Sequence, residues 1–177
     1  MKFDEKYIES VVNRTYPGLT MYVRDADLPG RISDKYTKGM IIRERGFCDA
    51  SNRVLGMVTT HRYAILSNHM SNLSEFEYST NWGLHVAKRD SRFKILENYE
   101  YNGKRLILLL HLPDDESWRI FSEIKLNIDE ELVASCIERF KSKCEEEPIP
   151  ELAKKDWLDR CSFPIGMDDE GNIFDVE

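Results

Sequence analysis

Apolar residues recur along this chain at two periods, and the change from one to the other separates helical flanks from a strand-rich middle. Phe3, Tyr7, Ile8, Val11 and Val12 keep the 3.6-residue spacing, with Asp4 placed to cap them, which predicts an amphipathic helix over residues 3–15. Pro17-Gly18 ends it, Leu19 to Val23 reads as a short strand, and residues 25–33 read as a loop turning at Pro29-Gly30. Residues 40–42, 54–60, 63–66, 82–87 and 93–101 are rich in β-branched and aromatic side chains and predict strands. Asn102-Gly103 supplies the two positive-φ positions of a type I′ turn, so 93–101 and 104–112 should form a hairpin. Leu106 to Leu112 is nearly all apolar, the pattern of a strand covered on both faces.

Beyond Pro113 the helical period returns. Asp114 or Asp115 can cap a short helix carrying Trp118, Ile120 and Phe121. Asp129 opens a longer one over 130–144, where Leu132, Val133, Cys136, Ile137, Phe140 and Cys144 form one stripe and Lys141 and Lys143 fall in the last turn. Pro150 fits the first turn of a third helix reaching Arg160, and residues 162–167 and 173–176 read as a terminal hairpin. No repeat, low-complexity tract or linker interrupts the chain. The expectation is one α+β domain over residues 1–177, with a mostly antiparallel central sheet, helices packed on one face, and helices at both ends.

Composition narrows the class. The 177 residues are 41% hydrophobic and 32% charged, too apolar for a disordered chain and long enough to fold without disulfides. Cys48, Cys136, Cys144 and Cys161 form no Cys-x-x-Cys pair, which reads as reduced, structural thiols. The acids of Met1 to Lys6 stand where a signal peptide needs an apolar stretch. The longest apolar run, Leu106 to Leu110, has five residues where a membrane span needs about twenty. A cytoplasmic protein with no membrane contact is the expectation.

Catalytic signatures are scarce. There is no Gly-x-Gly-x-x-Gly, no Gly-x4-Gly-Lys-Ser/Thr and no Gly-x-Ser-x-Gly. His61, His69, His85 and His111 show neither helical ligand spacing nor His-Glu-x-x-His, so no metal and no cofactor is expected. The alternative is a distributed site such as His61 and His69 with Asp49 or Cys48. Cys48-Asp49 is the most unusual polar stretch. Arg45 and Arg53 flank it and favour a thiolate, and His61 is a candidate base if neighbouring strands pair. The structural reading of the same residues has Asp49, Ser51 and Asn52 shaping a turn while Cys48 packs inward.

Charge is unevenly spread. Residues 113–177 hold 19 acids and 8 bases, net −11, whereas residues 1–112 hold 13 acids and 17 bases, net +4. The leading functional expectation is therefore a small non-catalytic binding module of the inhibitor or immunity type. It would engage a basic protein through Asp114, Asp115, Glu116, Glu145, Glu146 and Glu147. The second expectation is a small enzyme centred on Cys48, Asp49 and His61. The third is a nucleic-acid contact through Lys88, Arg89, Arg92 and Lys94, with Trp82, Tyr99 and Tyr101 as stacking surfaces, against which the pI near 5.2 counts.

Overall fold

The computed structural model describes residues 3–177. Met1 and Lys2, the start of the segment read above as lacking a targeting signal, lie outside the described residues. In chain order the elements are α1 (Glu5–Thr15), β1 (Thr20–Ala26), α2 (Gly30–Ser33), β2 (Ile41–Glu44), β3 (Cys48–Ser51), β4 (His61–Ser67) and β5 (Ser71–Asn72). They continue with β6 (Leu84–Ala87), β7 (Ser91–Tyr101), β8 (Lys104–His111), α3 (Ile120–Glu123), α4 (Asn127–Cys144) and α5 (Lys155–Arg160). Asp4 caps α1 as expected, accepting a hydrogen bond from the Lys6 N–H. Among the described residues no helix is long and apolar enough to cross a membrane.

The eight strands form one sheet in the order β2-β7-β8-β4-β1-β3-β6-β5. It is mixed: β4 and β8 run parallel, and the other pairs are antiparallel. The β7–β8 hairpin turns at Asn102 and Gly103, both at positive φ. Period-two alternation sends Tyr63, Ile65, Phe93, Ile95, Ile107 and Leu109 to one face, under Ile32, Tyr36, Ile165 and Met167. Ala64, Leu66, Leu106, Leu108 and Leu110 point to the other face, against Val11, Ile120, Phe121, Val133 and Phe140. The longer helices thus cover one face, and α2 with the C-terminal segment covers the other. Leu106 to Leu110 are buried throughout, each contributing about 1.5–3 kcal/mol of apolar transfer.

Several sequence expectations change. Residues 54–60 form no strand, because the buried Arg62 draws the carbonyls of Leu55 and Gly56 to its guanidinium. A strand forms instead at Cys48–Ser51, where a loop was expected. The third helix breaks after a 3-10 turn at Pro150–Leu152 and restarts as α5. The terminal hairpin reduces to a single bridge between Met167 and Ile173.

Candidate functional site

The strand β1 places an arginine where the alternation calls for an apolar side chain. Tyr22 and Ala26 belong to the core face of the sheet, and Arg24 lies between them, beside Tyr63 of β4. Its side chain is buried, with 5% of the residue exposed. Nη1 donates to the Asp49 carbonyl at 3.1 Å and Nη2 to the Phe163 carbonyl at 3.1 Å. Nε has no partner, and Arg24 forms no ion pair among the described residues. A cavity of about 210 Å³ opens beside it, between the start of β3 and the segment Phe163–Ile165.

That segment is fastened across the sheet. The Tyr36 hydroxyl donates to the Ile165 carbonyl at 2.7 Å, the Ile165 N–H donates to the Tyr63 hydroxyl at 3.3 Å, and the two hydroxyls are 2.6 Å apart. Glu44, on the cavity wall, accepts from the N–H groups of Gly46 and Gly166 at 2.9 and 2.8 Å. Asp49 is on the wall too, and its Oδ2 accepts from Arg160 Nη1 at 2.9 Å. Phe47 and Phe163 line the same cavity and stand 62% and 58% exposed, with Arg89 lying over the Phe47 ring. The arrangement is a buried positive charge beside a small cavity, with two exposed aromatic side chains, one of them under Arg89, and two carboxylates on its wall.

Of the residues singled out from the sequence, Cys48 and Asp49 meet at this cavity and His61 does not. Cys48 is 1% exposed, and burial pushes its thiol up to about 12 despite the opposing pull of Arg24. His61 sits on β4, and β1 stands between it and β3, a separation of about 10 Å. Its Nδ1 faces Thr60 Oγ1 at 2.7 Å and the Leu28 N–H at 3.4 Å, and burial lowers its pKa. The expected thiolate–imidazole pair therefore does not form. His69 lies beyond the opposite end of β4, so the distributed His61–His69 site does not form either. Arg24 was missed because a charged residue in a strand ordinarily faces water; its flanking Tyr22 and Ala26 were the available signal.

Four of the six acids expected to meet a partner hold cations of their own chain: Asp114 with Lys88, Asp115 with Arg14, Glu116 with Arg119, and Glu146 with Lys143. The proposed basic turn is dispersed as well. Lys94 is buried near Asp129, Arg92 lies over Trp118 and donates to the Val176 carbonyl, and Lys88 holds Asp114. Trp82 packs between Trp157 and Arg160, and Lys141 lies over Tyr99 and Tyr101.

No family model matches the chain, and no curated protein matches it. Among solved structures, the type III effector XopAI of Xanthomonas axonopodis pv. citri is similar at 18% identity, over 55% of this chain and 43% of that one, with a TM-score of 0.47. The ADP-ribosyltransferase HopU1 of Pseudomonas syringae pv. tomato DC3000 is similar at 15% identity, over 53% and 46%, with a TM-score of 0.47. Exoenzyme S of Pseudomonas aeruginosa is similar at 10% identity, over 75% and 70%, with the same TM-score of 0.47. The chain spans less than half the length of the first two. At this level the likeness concerns the course of the backbone and transfers no residue, substrate or partner. The expectation of a non-catalytic, immunity-type inhibitor is not kept: four of the six acids it rested on hold cations of their own chain.

Proposed function

We propose that this chain is a small enzyme acting on an anionic substrate with a flat aromatic part, a nucleotide in chemical class, seated over Arg24. The observation that carries the reading is the Arg24 guanidinium: always charged, buried, lining a cavity, and, among the described residues, without an ion pair and with its Nε unpartnered. A buried charge without a counter-ion is unfavourable, and an entering phosphate oxygen would form the charge-assisted hydrogen bonds that the protein leaves unmade. Phe47 and Phe163 offer the stacking faces, where one base contributes about 1–3 kcal/mol. Asp49 and Glu44 are the carboxylates on the cavity wall. This continues the enzyme expectation drawn from the sequence, keeps Asp49, and replaces Cys48 and His61 with Arg24. The missing glycine loops argue against a P-loop or dinucleotide fingerprint, and an arginine-held phosphate requires neither. A reducing, cytoplasmic setting belongs to the same proposal, supported by four free thiols.

The test is binding followed by turnover. ADP and NAD should bind the whole chain while adenosine, lacking the phosphate, should not, and prolonged incubation should convert one of the nucleotides, seen by chromatography. Phe47→Ala and Phe163→Ala remove exposed side chains and should weaken binding roughly tenfold each while leaving the fold intact. Equal binding of adenosine and ADP, or no binding of either nucleotide by folded protein, overturns the reading.

A further inference from the structure

We infer that the carboxyl ends of the parallel strands β4 and β8 form a site for a divalent transition metal of the zinc class, held by His69, His111 and Asp114. The topology makes the site. Leu66 pairs with Leu110, so the next residues, Ser67 and His111, stand side by side, and the two chains leave the sheet together carrying His69 and Asp114. One ligand atom from each of His69, His111 and Asp114 lies within 4.8 Å of the others. His69 Nε2 is 3.9 Å from Asp114 Oδ1, and a tetrahedral zinc with bonds of about 2.1 Å holds its ligands about 3.4 Å apart.

Two independent features point these atoms at a ligand. His111 is 1% exposed, yet its Nε2 has no partner among the described residues. Its Nδ1 is 2.7 Å from Ser67 Oγ, which also accepts the His69 N–H. The second feature is the tautomer of His69. Asn68 gives its amide N–H groups to the carbonyls of Arg14, Thr15 and Pro17, so its Oδ1 is the atom facing His69 Nδ1 at 3.0 Å. That nitrogen must therefore carry the hydrogen, which leaves the lone pair on Nε2. Fixing a ligating histidine through its other nitrogen is what outer-shell partners do in metal sites.

His69 and Asp114 also line a cavity of about 320 Å³, which leaves a coordination position facing solvent. The His69 ring now stacks on His111 at 3.8 Å, and closing the site takes a swing of that exposed ring while His111 stays in place. Lys88 is the competing cation: its Nζ holds the second oxygen of Asp114 at 2.9 Å. The sequence expectation of no metal is reversed, and the ligands are not the His61 pair considered there.

Zinc and cobalt titrations of the metal-stripped whole chain, in competition with a chromophoric chelator, test this. One ion per chain should bind. His69→Gln and Asp114→Asn change exposed residues and should each weaken binding at least tenfold, whereas Lys88→Met should tighten it several-fold. Bound cobalt should show ligand-field bands without a thiolate charge-transfer band. Absence of binding below millimolar metal, unchanged affinity in His69→Gln or Asp114→Asn, or a thiolate band overturns the site.

Discussion

Cys48 stands beside a guanidinium, the usual way to make a thiol reactive, and burial outweighs that pull. A rise from the ordinary value of 9.0 to about 12 lowers the thiolate fraction roughly a thousandfold. In folded protein at pH 7.5, iodoacetamide should therefore reach the half-buried Cys144 first and leave Cys48 unmodified until unfolding, as read by mass spectrometry; rapid labelling of Cys48 contradicts this. The inward-packing alternative was legible from the sequence, but the depth of Cys48 was not, since it depends on strands far away in the chain. Asp25 carries the same lesson. It read as the start of a loop, and it lies buried in a two-fold pair with Arg62, Oδ1 to Nε at 2.7 Å and Oδ2 to Nη2 at 2.9 Å. Asp25→Ala strands the Arg62 charge and should lower stability by about 3–5 kcal/mol in chemical denaturation. A loss under about 1 kcal/mol would mean that the pair contributes little.

Elements specified by local chemistry were readable: the Asp4-capped helix, the Asn102-Gly103 hairpin and the stripe of α4. Elements specified by distant partners were not. Cys48–Ser51 becomes a strand because β1 and β6 flank it, and residues 54–60 lose theirs because Arg62 takes their carbonyls. Two glycines separate these cases. Gly103 sits at φ +76 with open space around it, so Gly103→Ala should cost only the left-handed backbone strain, about 1–2 kcal/mol. At Gly56 a Cβ would overlap the Glu146 carbonyl oxygen, where the 54–60 segment meets the chain leaving α4. Gly56→Ala should therefore cost more, about 3 kcal/mol or above. Thermal unfolding of the two variants checks the order, and a Gly103 variant less stable than the Gly56 variant contradicts it.

Across the whole molecule, the charge split read from the sequence survives as arithmetic, and much of the acidic third answers bases of its own chain. Arg14 with Asp115 and Lys88 with Asp114 tie the two portions together. The parallel β4–β8 pair was foreshadowed only by the unbroken apolar run at Leu106, and it brings His111 to the sheet end. Burial lowers His111 from 6.5 to about 3, with His69 and Lys88 adding to the effect. The unfolded chain thus binds this proton more readily than the folded one, and stability present above pH 6.5 is lost as pH falls towards 3, by about 4 kcal/mol at most. Denaturation midpoints in chelator should fall across that window, and His111→Phe, if folded, should flatten the slope; an equal slope in the variant contradicts this. The proposed nucleotide site rests on the Arg24 guanidinium on the core face of β1, which has no ion pair among the described residues. Calorimetric titration of ADP into wild-type protein and into Arg24→Gln, each shown to be folded by circular dichroism, tests it most directly. One site per wild-type chain is expected, weakened at least thirtyfold in the variant, the effect of losing one partner of a buried charge pair. Equal affinity in the two proteins, or no heat of binding in the wild type, would contradict it.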